Sequence, residues 1–327
     1  MIYLRSMKSL WLSKWLSVAA TSDEVCRLYF VTSGYETRSR YWCEKVFASI
    51  SPSPANLYHV FGFKEFDNEP SRLENDNFYR GQGLSIQTIS STDNEAFVHV
   101  VQDCVNEILL DNPTKQLEIH IDYSSMPRAW YCRLIPLLSP ALREGDAIFY
   151  WYSSPQYAKA PFPTAGVSDF KVFSGRPTLG SGYRSHLFGL GFDRIRSHAI
   201  WSVIDPSNLI CYYADPSTNP DYVARVKKDN RDVLNAAQQH FTVPLFDFVY
   251  SYSKIMSAAL GLRRYGDVIL VPDGPKPLIL ASSLIPDTAG ETGIVCFHVG
   301  GRRGSNYVPA DVNAIGDPFG FSCSISA

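Results

Sequence analysis

One stretch of this chain and its echo restrict what the rest can fold into. Leu28–Trp42 reads LYFVTSGYETRSRYW, and His186–Trp201 reads HLFGLGFDRIRSHAIW. Each is an apolar run rich in β-formers that reaches a glycine (Gly34, Gly191). An aromatic (Tyr35, Phe192), an acid (Glu36, Asp193) and two arginines (Arg38 and Arg40, Arg194 and Arg196) then follow. A buried strand that stops at glycine and turns polar is handing over to a helix, and α/β proteins place ligands at that junction.

The segments between these landmarks keep the same rhythm. In the first half, β-type runs fall at 27–33, 56–61, 84–90, 117–122 and 147–152, separated by helical patterns at 38–50, 69–79, 94–110 and 126–138. The second half repeats the order, with strands expected at 187–192, 209–213, 244–250, 267–272 and 293–299. Strands alternating with helices argue for mostly parallel sheets covered on both faces. Matching landmarks recur in order: Asn56-Leu57 with Asn208-Leu209, Asp122 with Asp273, Pro127 with Pro277, and Leu134-Ile135-Pro136 with Leu284-Ile285-Pro286. The fold class expected is α/β, as two tandem Rossmann-like units related by internal duplication about a pseudo-twofold axis.

The division that follows is an N-terminal amphipathic segment at 1–25, a first unit at 26–153 and a Pro/Gly/Ser-rich connection at 154–185 with a short β excursion at 170–173. A second unit at 186–300 and a C-terminal tail at 301–327 complete it. Within the first segment, residues 8–20 place Leu10, Trp11, Trp15 and Leu16 on one helical face. Serine or acid caps are expected for the third and fourth helices, from Ser91, Thr92 or Asp93 and from Ser124 or Ser125.

At 327 residues and 45% hydrophobic content the chain can bury two cores, and its net charge of −2 gives no bulk attraction to nucleic acid. Aromatics reach 13% against 19% charged residues, which points some of them toward a partner, self-association or a stacking ligand. The seven cysteines are dispersed without a CxxC pair, so a reduced, cytoplasmic protein is expected. No run is long and apolar enough for a bilayer, so no membrane partner is expected.

In an open parallel sheet, the loops after strands one and four line the ligand crevice. The first half offers Gly34, Tyr35, Glu36 and Arg38, then Asp122, Tyr123, Ser124, Ser125 and Arg128. Hydroxyls, helix-start amides and arginines suit a phosphate or carboxylate, and the tyrosines suit a base. The second half offers Gly191, Asp193 and Arg196, then Asp273 and Lys276. A glycine-rich basic turn at Gly300–Asn306 is a further phosphate cradle or a plain surface hairpin. Each residue also has a structural reading: Arg38 and Arg40 pairing with Glu36 or Glu44, and Asp122 capping a helix.

Several signatures are missing, so the cofactor is unassigned. There is no P-loop. Gly189-Leu190-Gly191 stops short of a dinucleotide fingerprint, having Arg194 at its third glycine, and no histidine falls in a metal-ligand spacing. His120 and His298, inside expected strands, read as core histidines. No nucleophile elbow occurs, although Ser124 or Ser125 between a strand and a helix imitates one.

Two such units, with loops after strands one and four, resemble the paired CARF or SAVED sensor modules of bacterial antiviral systems. The resemblance rests on Ser33–Arg38 with Asp122–Arg128 and on Gly191–Arg196 with Asp273–Lys276, covers about residues 26–300, and matches no diagnostic motif. It implies a cyclic oligonucleotide signal bound where the two units meet. It also implies an effector on another chain, since nothing after Val299 is long enough to be one. The leading expectation is therefore an intracellular protein that binds a nucleotide or similar anionic ligand between its halves and acts through a protein partner. Arg38, Arg128 and Arg196 would hold phosphates, and Tyr35 and Tyr123 would stack. Two alternatives stand beside it. One is a hydrolase or transferase on a nucleotide or sugar phosphate, with Glu36 or Asp122 as base and Ser124 or Ser125 as nucleophile. The other is a structural subunit of a complex.

Overall fold

The computed structural model describes residues 2–7, 25–48, 56–157, 165–178, 182–217, 220–301 and 312–325. The chain divides into two compact units, Met1–Ala160 with Pro309–Ala327, and Pro161–Val308. The expected amphipathic helix at 8–20 lies outside the described residues, as does the basic turn beyond Gly301.

In the first unit, β1 (Ile2–Met7), β2 (Val25–Ser33), β3 (Asn56–Phe63), β4 (Ile86–Ile89), β5 (Gln116–Asp122), β6 (Ala147–Tyr157) and β13 (Val312–Ile325) form one sheet in the order β1-β13-β6-β5-β2-β3-β4. The five strands from β6 to β4 run parallel. A 3-10 turn (Thr37–Ser39), α1 (Tyr41–Phe47), α2 (Pro70–Gly81), α3 (Asn94–Asp111), α4 (Arg128–Tyr131) and α5 (Leu134–Leu138) connect them. β2 is buried over nearly its whole length because both faces are covered, which is why it reads as an unbroken apolar run. Its alternate side chains serve two cores. Tyr29 and Val31 join Trp42, Val46, Tyr79, Phe149 and Trp151 on one side. Phe30 packs on Phe61 at 6.0 Å, and Phe61 meets Phe97 and Trp130.

His120 is fully buried in the first of these cores, its ring stacked on Phe149 at 4.6 Å and Tyr29 at 5.0 Å. Trp151 Nε1 donates to its Nδ1 at 3.1 Å. An indole nitrogen only donates, so Nδ1 is the acceptor and Nε2 carries the proton, 3.5 Å from Glu118. Burial holds the His120 pKa below the ordinary histidine value, against the opposite pull of Glu118.

The second unit joins β7 (Val167–Gly175), β8 (Arg184–Gly189), β9 (Leu209–Ala214), β10 (Gln239–Val243), β11 (Asp267–Pro272) and β12 (Ile294–Gly301) in the order β10-β9-β8-β11-β12-β7. Its helices are α6 (Arg194–Ile204), α7 (Pro220–Asp229), α8 (Arg231–Ala236), α9 (Phe248–Arg263) and α10 (Lys276–Thr288). Taken in chain order, the five parallel strands of each unit lie 3-2-1-4-5, with an antiparallel strand beyond the fifth. The α/β class with mostly parallel Rossmann-like sheets is therefore the architecture of both units.

Four local expectations are corrected. The third strand of the second unit is Gln239–Val243, not 244–250. Asp247 accepts a hydrogen bond from Tyr250 N and starts α9, whose Phe248, Ser251, Ile255 and Ala259 are buried at helical spacing. The helix expected at 126–138 is two short pieces, Arg128–Tyr131 and Leu134–Leu138, with Pro136 in the first turn of the second, where its missing N–H costs nothing. Among the caps, Asp93 accepts from Ala96 N as expected, but α4 begins after Pro127 with no side-chain cap. The tail at 301–327 returns as β13 between β1 and β6, whereas the β excursion expected at 170–173 within the connection is present and longer, as the edge strand β7. In β13, Phe319, Phe321 and Cys323 alternate inward, and Phe321 stacks on Tyr150 at 5.1 Å.

Two outcomes follow. Deleting 312–325 bares β6 and detaches β1, so the variant should lose the cooperative melting of the first unit; wild-type melting in that variant would contradict the topology. Burial also holds the His59 and His186 pKa values below the ordinary value, alongside His120. In the unfolded chain these histidines protonate near pH ~6.5. The unfolded state then binds more protons, so unfolding free energy should fall as pH drops from 7 through that value. Urea titrations across this window that gave a flat profile would contradict the burial of neutral imidazoles.

Candidate functional site

β2 leads through α1 to β3 on one side, and β5 lies on its other side, so the strand order reverses between β2 and β5. Loops leaving these two strands diverge, which opens the crevice typical of such sheets. In the first unit the loops are Gly34–Glu36 and Tyr123–Pro127, and they touch. A Cβ built on Gly34 would lie 3.0 Å from Ser125 Cβ, so glycine is what lets the loops approach. Ser125 Oγ donates to Glu36 Oε2 at 3.2 Å.

Glu36 is fixed from several directions. Arg38 Nε donates to the same Oε2 at 2.7 Å, and Asn75 Nδ2, from α2, donates to the carbonyls of both Gly34 and Glu36 at 2.9 Å. Asn75 is fully buried, and so is the neighbouring Ser33, whose hydroxyl donates to Asp76 at 2.5 Å. Arg72 Nε donates to Asp76 at 2.7 Å and its Nη1 to the Phe63 carbonyl at 2.6 Å. Sequence reasoning missed this network on α2. Its signal was a run of polar residues, Arg72, Asn75 and Asp76, on the helix face that also carries the core residue Tyr79.

Several candidate residues have structural roles instead. Arg38 is 3% exposed, donates from Nη1 to the Ser153 carbonyl at 2.8 Å and lies over the Tyr152 ring at 5.6 Å, so it is not presented to a phosphate. Tyr123 is buried among Tyr131, Tyr150 and Tyr152, with its hydroxyl pKa pushed well up by burial; it is a core residue and cannot stack on a ligand. Asp122 accepts from the Ser124 amide and hydroxyl, and Ser124 Oγ accepts from Ser153 N at 2.8 Å. Ser124 thereby ties β5 to β6 and is removed as a nucleophile. Tyr35, Glu36, Ser125 and Arg128 remain partly exposed at the rim. The Tyr35 ring meets Phe66 edge-on at 5.2 Å.

The second unit closes the equivalent junction differently. A Cβ on Gly191 would lie 2.6 Å from the Asp273 carbonyl, so the two loops meet backbone to backbone. Arg196, also buried, pairs with Asp273 at 2.5 Å and donates to the Val299 carbonyl at 2.5 Å. It crosslinks strand ends and is not presented to a ligand. Asp193 caps α6 by accepting from Arg196 N at 3.0 Å, and Lys276 opens α10, partly exposed. Asn230 Nδ2 donates to the Gly191 carbonyl at 2.7 Å, the same clamp that Asn75 makes on Gly34. Among the described residues, no group of three histidines, cysteines or acids is placed to hold a metal ion, and no helix is long and apolar enough to cross a membrane.

No protein-family profile matches the chain, and no curated protein matches it. Among solved structures it is similar to phosphoethanolamine N-methyltransferase 1 of Haemonchus contortus, solved with phosphoethanolamine and S-adenosylhomocysteine. The identity is 8%, over 79% of this chain and 72% of that one, with a TM-score of 0.22. A likeness at that level carries nothing about chemistry.

Removing one partner of the buried Arg196–Asp273 pair leaves the other charge buried alone. Arg196→Ala and Asp273→Ala should each lower unfolding free energy by about 3–5 kcal/mol in urea denaturation. The double variant should lose less than the two single losses combined. Single losses under about 1 kcal/mol would place the pair in solvent.

Proposed function

We propose that the first unit binds a nucleotide or a similar anionic ligand at the crevice over the carboxyl ends of β2 and β5. The single observation that carries this reading is the contact of the two strand-end loops through Glu36 and Ser125, with Tyr35 and Arg128 partly exposed beside them. That combination gives an aromatic face, a hydroxyl, a carboxylate and a cation at the place where an open α/β sheet admits ligands. Arg128 is the cation for the ligand's phosphate and Tyr35 the ring for its base. The resemblance to paired CARF or SAVED sensors adds cyclic oligonucleotides to the ligand class. It also adds action through a partner chain in bacterial antiviral defence. The shared strand order and the two asparagine clamps support reading the units as products of internal duplication.

A hydrolase or transferase is the second reading. Ser125 and Glu36 are the hydroxyl–carboxylate pair it requires. Glu36 Oε2 accepts from both Arg38 and Ser125.

The test is thermal melting across mononucleotides, cyclic dinucleotides and cyclic oligoadenylates at millimolar concentration. At least one should raise the melting temperature, and Arg128→Ala should remove the rise. No rise with any of them, or a rise that survives Arg128→Ala, overturns the proposal.

A further inference from the structure

The acid of the repeated glycine–aromatic–acid motif serves different ends in the two units. In the second, Asp193 caps α6. In the first, Glu36 stands at the matching place and makes no side-chain cap. Its carboxylate is instead held in the crevice by Arg38 and Ser125, both on Oε2, while Asn75 holds its carbonyl. Oε1 takes no hydrogen bond from a described residue, and the side chain keeps 18% of its surface in water.

A fixed acceptor with lone pairs left over is a group that reads donors. The Arg38 guanidinium at 2.7 Å balances its charge, so the site has little net attraction for an ammonium group. A neutral hydroxyl is the donor that gains most there, because it forms a hydrogen bond to an ionised acceptor whose position is already set. Neighbouring Ser125 Oγ, which donates to Glu36, still has a lone pair for a second hydroxyl.

We propose that Glu36 is a specificity-determining residue that accepts a hydrogen bond from a sugar hydroxyl of the ligand, so that the first unit selects ribonucleotides over ligands lacking that hydroxyl. This rests on the reading of the crevice given above and names the part of the ligand that Glu36 recognises. Because Asp193 is held as a cap, the second unit lacks the same reader, and one such site per chain is expected.

The test is isothermal titration of the full chain with the four ribonucleoside monophosphates and their 2′,3′-dideoxy counterparts. The ribose forms should bind roughly ten- to hundredfold more tightly, the range of a hydrogen bond to a charged group. Glu36→Gln, which keeps the side chain's size, should lower that ratio at least severalfold while Arg128-dependent binding persists. Binding with a wild-type ratio near one overturns this inference and leaves the crevice reading intact, as does a ratio that Glu36→Gln does not change. Absence of binding by every monophosphate overturns this inference as well, and the cyclic ligands of the melting panel then decide whether the crevice reading stands. If Glu36→Gln fails to fold, the wild-type ratio alone decides.

Discussion

A buried carboxamide on the carbonyl of a strand-ending glycine is the interaction on which the carboxyl end of each sheet depends. A chain leaving a central parallel strand must turn at once, and its first carbonyls lose their ladder partners while still inside the protein. Leaving one such group unsatisfied costs about 1–3 kcal/mol. Asn75 removes that cost twice over in the first unit, at Gly34 and Glu36, and Asn230 does so at Gly191 in the second. With the carbonyl fixed, the following residues have a set position. Only then can an acid after the glycine act as a helix cap or as part of a crevice.

The two units use the same cation for the same end. Arg38 and Arg196 each leave the first helical turn after strand one and reach a carbonyl on strand five, at Ser153 and Val299. What differs is the carboxylate that balances the charge. In the second unit it is Asp273, at the end of strand four, and the pair welds β8, β11 and β12. In the first it is Glu36, from the loop itself, which leaves Asp122 to organise Ser124. Moving the counter-ion from strand end to loop keeps a carboxylate near the surface in one unit and hides it in the other.

Much of the architecture was legible because its signals are local. Unbroken apolar runs ending on glycine, helical spacing between them, and landmarks such as Asp122 and Asp273 at matching places followed from periodicity alone. The errors share one cause, the dependence of a residue's role on distant neighbours. Leu245, Phe246 and Phe248 read as strand from sequence, but Asp247 caps α9 there. The alternation of Phe319, Phe321 and Cys323 was present in the tail, but only pairing with β6, far earlier in the chain, makes it a strand. Arginines in a strand-end loop look available for phosphate from sequence. Whether they are depends on carbonyls more than a hundred residues away, as with Arg38 and Ser153.

The same logic explains why the α2 network escaped notice. Arg72, Asn75 and Asp76 lie in the helical pattern at 69–79 with nothing local to mark them as buried, because charged residues are almost never fully buried unless paired. Here each is paired: Arg72 with Asp76 and the Phe63 carbonyl, Asp76 with Ser33, and Asn75 with two loop carbonyls. Such a cluster is costly in desolvation, but removing it would leave the Gly34, Glu36 and Phe63 carbonyls without these donors. Geometry accounts for the cluster: the network pins the ends of β2 and β3 through Ser33 and the Phe63 carbonyl, and the crevice loop through the Gly34 and Glu36 carbonyls. Glu36 can therefore hold one orientation while part of its carboxylate stays open to solvent.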